Sequence, residues 1–192
     1  MGKLVVLMHL TLDGVMQAPG RPDEDPRDGF THGGWAAPRG ATIDMASLGM
    51  GETKALLFGR RTYEDFYAFW PHQADNPYTG MLNAMQKYVA STTLREPLPW
   101  QHSTLISGDV AEAVAGLKAQ LAGNLLIMGS GVLLQSLMRH NLVDRYALLI
   151  HPLVLGAGRR LFETGGPPAE LQLIGATTTA SGVIAATYEP AM

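Results

Sequence analysis

Three short segments carry the residue types that hold a phosphorylated ligand: Gly59-Arg60-Arg61-Thr62, Ser91-Thr92-Thr93 and Gly129-Ser130-Gly131. Glycines let a backbone approach a phosphate closely, and a helix that starts at such a turn adds free N–H groups and a favourable dipole. Arginine offers a planar, permanently charged fork for phosphate oxygens, and small hydroxyls add hydrogen bonds. Each segment follows an apolar run that reads as a strand, and the first and third precede helical patterns. In an open parallel sheet such strand ends share one edge, where ligands bind. Together the three segments describe a cradle for a dinucleotide. Singly each has a plainer reading. Gly129-Ser130-Gly131 lacks the third glycine of the dinucleotide fingerprint, since Leu134 stands there, and Arg60-Arg61 alone reads as a solvated pair.

Other chemistry finds less support. The histidines at 9, 32, 72, 102, 140 and 151 show no metal-ligand spacing. His9 and His151 fall in apolar strands and read as structural; His32, in a Gly-rich loop, is the one placed to meet a substrate. The acidic run Asp23, Glu24, Asp25 and Asp28 lacks the glycine and terminal glutamate of a calcium loop. Gly156-Ala157-Gly158 before Arg159-Arg160 mimics a phosphate loop but reads as a turn, and no Gly-x-Ser-x-Gly elbow appears. Trp35, Trp70 and Trp100 are too scattered for a stacking platform, though all lie near expected loops where they could line a pocket.

The elements that must position these residues follow from periodicity. Leu4–Thr11 reads as a first strand ended by Leu12-Asp13-Gly14, and residues 17–40, broken by prolines at 19, 22, 26 and 38, as a long loop. A helix is expected from Thr42, with Ile43, Ala46, Ser47 and Met50 on one face. A strand over residues 54–58 ends at Gly59, and a helix beginning at Thr62 stops at Pro71. A further helix follows Pro77 with Met81, Leu82 and Met85 as its apolar face. Short strands are expected at 88–90 and 104–106, then a helix over 110–121 capped by Asp109, a strand at 124–128 and a helix over 132–139. A strand over 146–155, interrupted by Pro152, and a closing pair at 171–176 and 183–189 complete the chain. Alternation of strand and helix followed by strands alone implies an α/β fold with a largely parallel sheet and helices on both faces.

Composition sets the outer limits. At 192 residues, 46% hydrophobic and 16% charged, the chain fits one soluble domain spanning residues 1–192. A net charge of −3 offers no basic field for nucleic acid. The absence of cysteine removes disulfides, thiolate zinc sites and cysteine nucleophiles, and permits a cytoplasmic address. No run approaches the roughly 18 apolar residues of a membrane span, and the N-terminus reads as a strand rather than a signal peptide.

The order of five segments brings a resemblance. They are Leu10-Thr11-Leu12-Asp13-Gly14; Leu57 to Glu64 around Gly59-Arg60-Arg61; Tyr88 to Leu94; Ile127 to Leu133; and Asn141-Leu142-Val143-Asp144-Arg145 on to Leu161-Phe162. The chain resembles the dihydrofolate reductase-like family, and more closely its bacterial branch related to the reductase domain of riboflavin biosynthesis. The resemblance implies a three-layer α/β/α fold around a mixed, mostly parallel eight-stranded sheet, NADPH as cofactor, a small-molecule substrate and a homodimer. It implies that Arg60, Arg61 and Thr62 hold cofactor phosphates and that Ser91 and Thr92 face the 2′-phosphate. Gly59 closes the strand before them, while Gly129, Ser130, Gly131, Val132 and Leu133 pass under the pyrophosphate toward the nicotinamide. Asp13 and Gly14, with the following loop, would border nicotinamide and substrate. Dihydrofolate reductases proper place a carboxylate on the first helix; here that region holds Asp44, with Glu52 beyond, outside a copy of that motif. The expected activity is hydride transfer from NADPH to a C=N or C=O carbon, with Asp13 the first candidate acid and Asp44 the second. An Asp-Gly turn without catalysis is the plainer reading of Asp13. Dihydrofolate reduction proper and a non-catalytic nucleotide- or ligand-binding module are the rival functions.

Overall fold

The computed structural model describes every residue except 41–47, 49, 50, 75, 165, 167 and 192. The helix expected from Thr42, and Asp44 within it, therefore lie outside the described residues. The remaining elements follow the expected order. Strand β1 (Leu4–Thr11) is followed by β2 (Thr53–Gly59), helices α1 (Arg60–Phe69) and α2 (Pro77–Ala84), then β3 (Gln86–Ala90) and β4 (Ser103–Ile106). Helix α3 (Val110–Gln120), β5 (Asn124–Met128) and α4 (Gly131–Arg139) come next, and β6 (Arg145–His151), β7 (Leu171–Thr178) and β8 (Ile184–Pro190) close the chain.

The strands form one eight-stranded sheet in the order β4-β3-β2-β5-β1-β6-β8-β7. The pairs β2–β3, β2–β5 and β3–β4 are parallel, whereas β8 runs antiparallel to both of its neighbours, β6 and β7. This is the mixed sheet expected from the sequence, with the antiparallel strand one position in from the edge. Contacts divide the chain into two compact units.

The first unit comprises Met1–Val5 and Glu52–Leu142. Its sheet core is Leu56, Leu57 and Phe58 on β2 with Leu125 and Ile127 on β5, all fully buried, as near-continuous apolar runs in a covered parallel sheet should be. Beside it Trp100, 2% exposed, packs against Phe58, Tyr63 and Tyr67 and donates from Nε1 to Asn83 Oδ1 at 2.7 Å. Trp100 is thus a core residue. Lys87 is buried on β3, its Nζ donating to the carbonyls of Asn83, Met85 and Gln101 and lying 4.7 Å from the Trp100 ring centroid. A buried ammonium needs such partners, and this one ties the end of α2 to the segment before β4. On α2 one of the three expected apolar positions is buried on the helix: Leu82 is buried, Met81 is 44% exposed, and Met85 lies beyond the helix as its C-cap. Asp109 caps α3 as expected, accepting from Glu112 N–H at 3.0 Å.

The second unit comprises Val6–Gly51 and Val143–Met192. Residues 17–40 are an ordered loop with two short 3-10 turns, Arg27–Gly29 and Ala37–Arg39. The loop builds its own small core from Val15, Ala18, Phe30, Trp35 and Ala36, packed with Leu153 and Leu155. A long loop stays in place when its own side chains are buried in this way. The strand expected over 146–155 ends at His151, because Pro152 has no N–H to continue the ladder.

Candidate functional site

In the first unit, β2 and β5 lie side by side with Leu57 opposite Ile127, and each is followed directly by a helix. Gly59 is the N-cap of α1 in an extended conformation, so the helix begins at Arg60, two residues before its expected start. Ser130 is the N-cap of α4 in the left-handed conformation, φ 56° and ψ 43°. Neither helix is capped by a side chain. The Ser130 hydroxyl is used elsewhere: its Oγ accepts from Gly59 N–H at 2.9 Å. In return Ser130 N–H donates to Thr62 Oγ1 at 3.0 Å. These two bonds stitch the helix starts together. Gly129, at φ +63°, lets the turn pass Thr62, whose Cγ2 would lie 3.3 Å from an added Cβ.

The first N–H groups of a helix have no intrahelical partner, and they carry the positive end of its dipole. Two such ends in one stitched turn bring together the backbones of Arg60, Arg61, Thr62, Gly131, Val132 and Leu133, an arrangement that could hold an anion. Val132, 62% exposed, presents an apolar side chain there. The Arg60 guanidinium reaches Glu64 at 3.0 Å within α1. Both partners are well exposed, so the pair is worth little and leaves the guanidinium able to turn to a better anion. Arg61 is exposed.

The parallel register sets Gly59 beside Ala90, so the segment after β3 borders this turn. Ser91 Oγ accepts from Thr93 N–H and Leu94 N–H at 3.1 and 3.0 Å, which commits it to shaping the loop. Thr92 is exposed and forms no side-chain bond among the described residues. The structure thus brings Gly59, Arg60, Arg61, Thr62, Ser91, Thr92 and Gly129 to Leu133 onto one edge, and residues of this set fit the phosphates of a dinucleotide.

Asp13 and Gly14 lie in the second unit. Asp13 Oδ1 accepts from Thr11 Oγ1 at 2.6 Å and from Leu155 N–H at 3.2 Å, and Oδ2 accepts from Gly156 N–H at 2.9 Å. Arg160 Nε donates to the Asp13 carbonyl at 2.8 Å. The Thr11 hydroxyl above all, outweighing partial burial and helped by the Gly156 and Leu155 amides, holds the Asp13 carboxyl down to about 2. Such a carboxyl is ionised near neutral pH. Through these bonds Asp13 fastens the 155–160 turn to the end of β1. Gly14 adds to them: its carbonyl accepts from Leu161 N–H at 3.1 Å.

His32 borders a cavity of about 290 Å³ with Gln17, Arg27, Asp28, Phe30 and Arg159. The acidic residues of this loop are paired: Arg27 with Asp25, and Arg159 with Asp28 at 2.8 Å. Trp35 is buried, donates to the Gln17 carbonyl at 2.7 Å and meets the His151 ring edge-on.

Sequence reasoning missed the pairing of His9 with His151. Their rings are joined Nδ1 to Nε2 at 2.9 Å, and His151 Nδ1 is buried without a hydrogen-bond partner among the described residues. Burial first, and the neighbouring His151 second, push His9 down to about 4; burial and the charge of Arg39 lower His151. Both rings are neutral near pH 7. Nothing in the spacing of 9 and 151 announces this pair, which arises because β1 and β6 are neighbours in the sheet.

The comparisons with known proteins agree with this fold. The chain is 26% identical to the uncharacterized protein YyaP of Bacillus subtilis, over 97% of this chain and 94% of that one. Among solved structures it is similar to a putative riboflavin biosynthesis protein from Shewanella sp. PV-4 (22% identity, all of both chains, TM-score 0.70). It is also similar to a pyrimidine reductase-like protein from Corynebacterium diphtheriae (15% identity, all of this chain and 92% of that one, TM-score 0.66). A third likeness is to dihydrofolate reductase from Enterococcus faecalis complexed with NADP(H) (13% identity, all of this chain and 98% of that one, TM-score 0.61). At these identities the structures establish a dihydrofolate-reductase-like fold. The family model of the RibD C-terminal domain matches residues 2–185, and the chain belongs to that family.

Proposed function

We propose that the protein is an NADPH-dependent reductase that passes hydride to a C=N or C=O carbon of a small pteridine- or pyrimidine-like compound. The observation that carries this reading is the stitched pair of uncapped helix starts at Gly59–Thr62 and Gly129–Leu133. Membership of the RibD C-terminal domain family supports it, as do similar folds described as pyrimidine reductase-like and as a reductase complexed with NADP(H).

When bound, NADPH supplies the hydride; the protein's part is to bind, orient and shield it. The N–H groups opening α1 and α4 hold the pyrophosphate, and Arg60 and Arg61 add charge beside it. Thr92 offers its hydroxyl to the 2′-phosphate, with Ser91 holding the loop that presents it. Ser130 and Thr62 keep the two helix starts in register, so the phosphate site is formed before the ligand arrives. The balancing proton comes from solvent in this reading, since Asp13 is held ionised. A cytoplasmic location belongs to the same reading, because that compartment supplies NADPH.

Calorimetric titration tests it. NADPH should bind more tightly than NADH, and Arg60→Ala together with Arg61→Ala should weaken NADPH by about 10-fold or more, as expected for loss of charge-assisted phosphate bonds. Absence of binding by either nucleotide would overturn the reading.

A further inference from the structure

Within the second unit, His9 and His151 form a polar pair that the hydride-transfer reading leaves unused. His9 is the third residue from the carboxyl end of β1, and His151 is the last residue of β6. In open α/β sheets, ligands bind outside the carboxyl ends of the strands. Every other residue of β1 is buried; His9 is the one position that is not. His151 is 2% exposed, its ring 5.1 Å from that of His9 and 5.2 Å from that of Trp35. The Trp35 indole N–H is committed to the Gln17 carbonyl and serves neither histidine. Apolar residues would pack here without polar atoms to satisfy. Two imidazoles bring four ring nitrogens, and among the described residues only the two that face each other are hydrogen-bonded.

The unpartnered His151 Nδ1 decides where the protons lie. Each neutral ring carries one proton, and one of the two occupies the bond between the rings. If His9 Nδ1 held it, His151 would carry its own proton on Nδ1, a buried donor without an acceptor. If His151 Nε2 holds it, Nδ1 is left as a bare acceptor, and orphaned donors are the rarer of the two. In that arrangement His9 must carry its proton on Nε2, the nitrogen that points away from the pair. Burial and the charge of Arg39 keep His151 neutral, so the pair offers an uncharged donor. Such a donor suits a carbonyl oxygen or ring nitrogen of a neutral heterocycle rather than a phosphate.

We propose that His9 holds the substrate through its Nε2–H, donated to a carbonyl oxygen or ring nitrogen of the heterocycle, with His151 as the positioning residue that fixes the tautomer. The substrate class rests on the reductase reading, but the test is separable from nucleotide binding. Nitrogen-15 spectra of the histidine rings near neutral pH report the tautomers of the wild type. Pterin and uracil are the probes, each titrated with and without NADP+. Both rings should be protonated on Nε2, and His9 Nε2 should shift saturably with at least one probe. His9→Leu should weaken that probe by about 3–10-fold, as for one neutral hydrogen bond, and His9→Gln, which keeps an N–H donor, should restore most of the loss. His151→Gln still offers a donor to His9 Nδ1 and should preserve the His9 tautomer, whereas His151→Leu should release it and weaken the probe. A wild-type His9 protonated on Nδ1, or a His9 Nε2 unmoved by both probes, would overturn the proposal even where NADPH binds. A His9 shift in a protein that binds no NADPH would uphold it and remove only the cofactor reading. Should the variants misfold, the wild-type spectra decide.

Discussion

Replacing Gly158 by alanine should be among the more damaging single-methyl changes in the protein, and the structure says how damaging. Gly158 has φ +115°, a conformation that alanine adopts only under strain of about 1–3 kcal/mol. Its added Cβ would lie 2.7 Å from Phe30 Cε2 and 2.7 Å from Val15 Cγ1, both in the buried core of the 17–40 loop. Overpacking of that kind costs about 1–3 kcal/mol more, so the total is roughly 4 kcal/mol. Gly156 is the internal control. Its φ is +75°, but an added Cβ meets nothing within 4 Å, so Gly156→Ala incurs only backbone strain of about 1–2 kcal/mol. For a chain of this length each kcal/mol lowers Tm by about 2–4 °C. Urea and thermal unfolding should therefore place G158A about 8–16 °C below the wild type and G156A about 2–8 °C below it. If G158A were as stable as G156A, the close packing of Phe30 and Val15 on the 156–158 turn would be wrong.

Two further outcomes follow from the same unit. His9 is lowered from 6.5 to about 4, so between those values the unfolded chain binds more protons than the folded one. Stability is therefore greatest above pH 6.5 and is lost as pH falls toward 4; urea midpoints across that range should show the loss, and His9→Gln should flatten it. Asp13, lowered from 3.8 to about 2, adds a separate loss between those two values as pH falls through them. Asp13→Ala should destabilise by about 1.5–3 kcal/mol, the range for hydrogen bonds to a charged group. It should also speed hydrogen exchange at Leu155 and Gly156 N–H while leaving NADPH affinity unchanged.

The elements around the cradle were legible because they obey local rules. Residues 124–128 form a strand as expected, an apolar run bounded by Gly123 and Gly129, and Asp109 caps its helix through a bond three residues on. What local rules do not carry is cooperation between distant segments. The start of α1 at Arg60 depends on Gly59 N–H finding Ser130 Oγ, 71 residues away. The bonds that Asp13 accepts from residues 155 and 156, more than 140 positions away, have no local sign in the sequence either. Trp35 and Trp100 sit near loops in sequence yet are buried, since each finds a hydrogen-bond acceptor for its indole N–H in the interior. The burial of Lys87 has no local sign either; it requires three carbonyls converging from two segments.

The central claim is that the paired helix starts of α1 and α4 hold the phosphates of NADPH. Amide chemical-shift mapping of the nitrogen-15-labelled protein during NADPH titration tests it most directly, because it reports where binding occurs. The account predicts saturable shifts concentrated at residues 59–62, 91–92 and 129–133, with NADP+ perturbing the same amides and free adenosine sparing 129–133. Saturable binding that left residues 59–62 and 129–133 unmoved would contradict it.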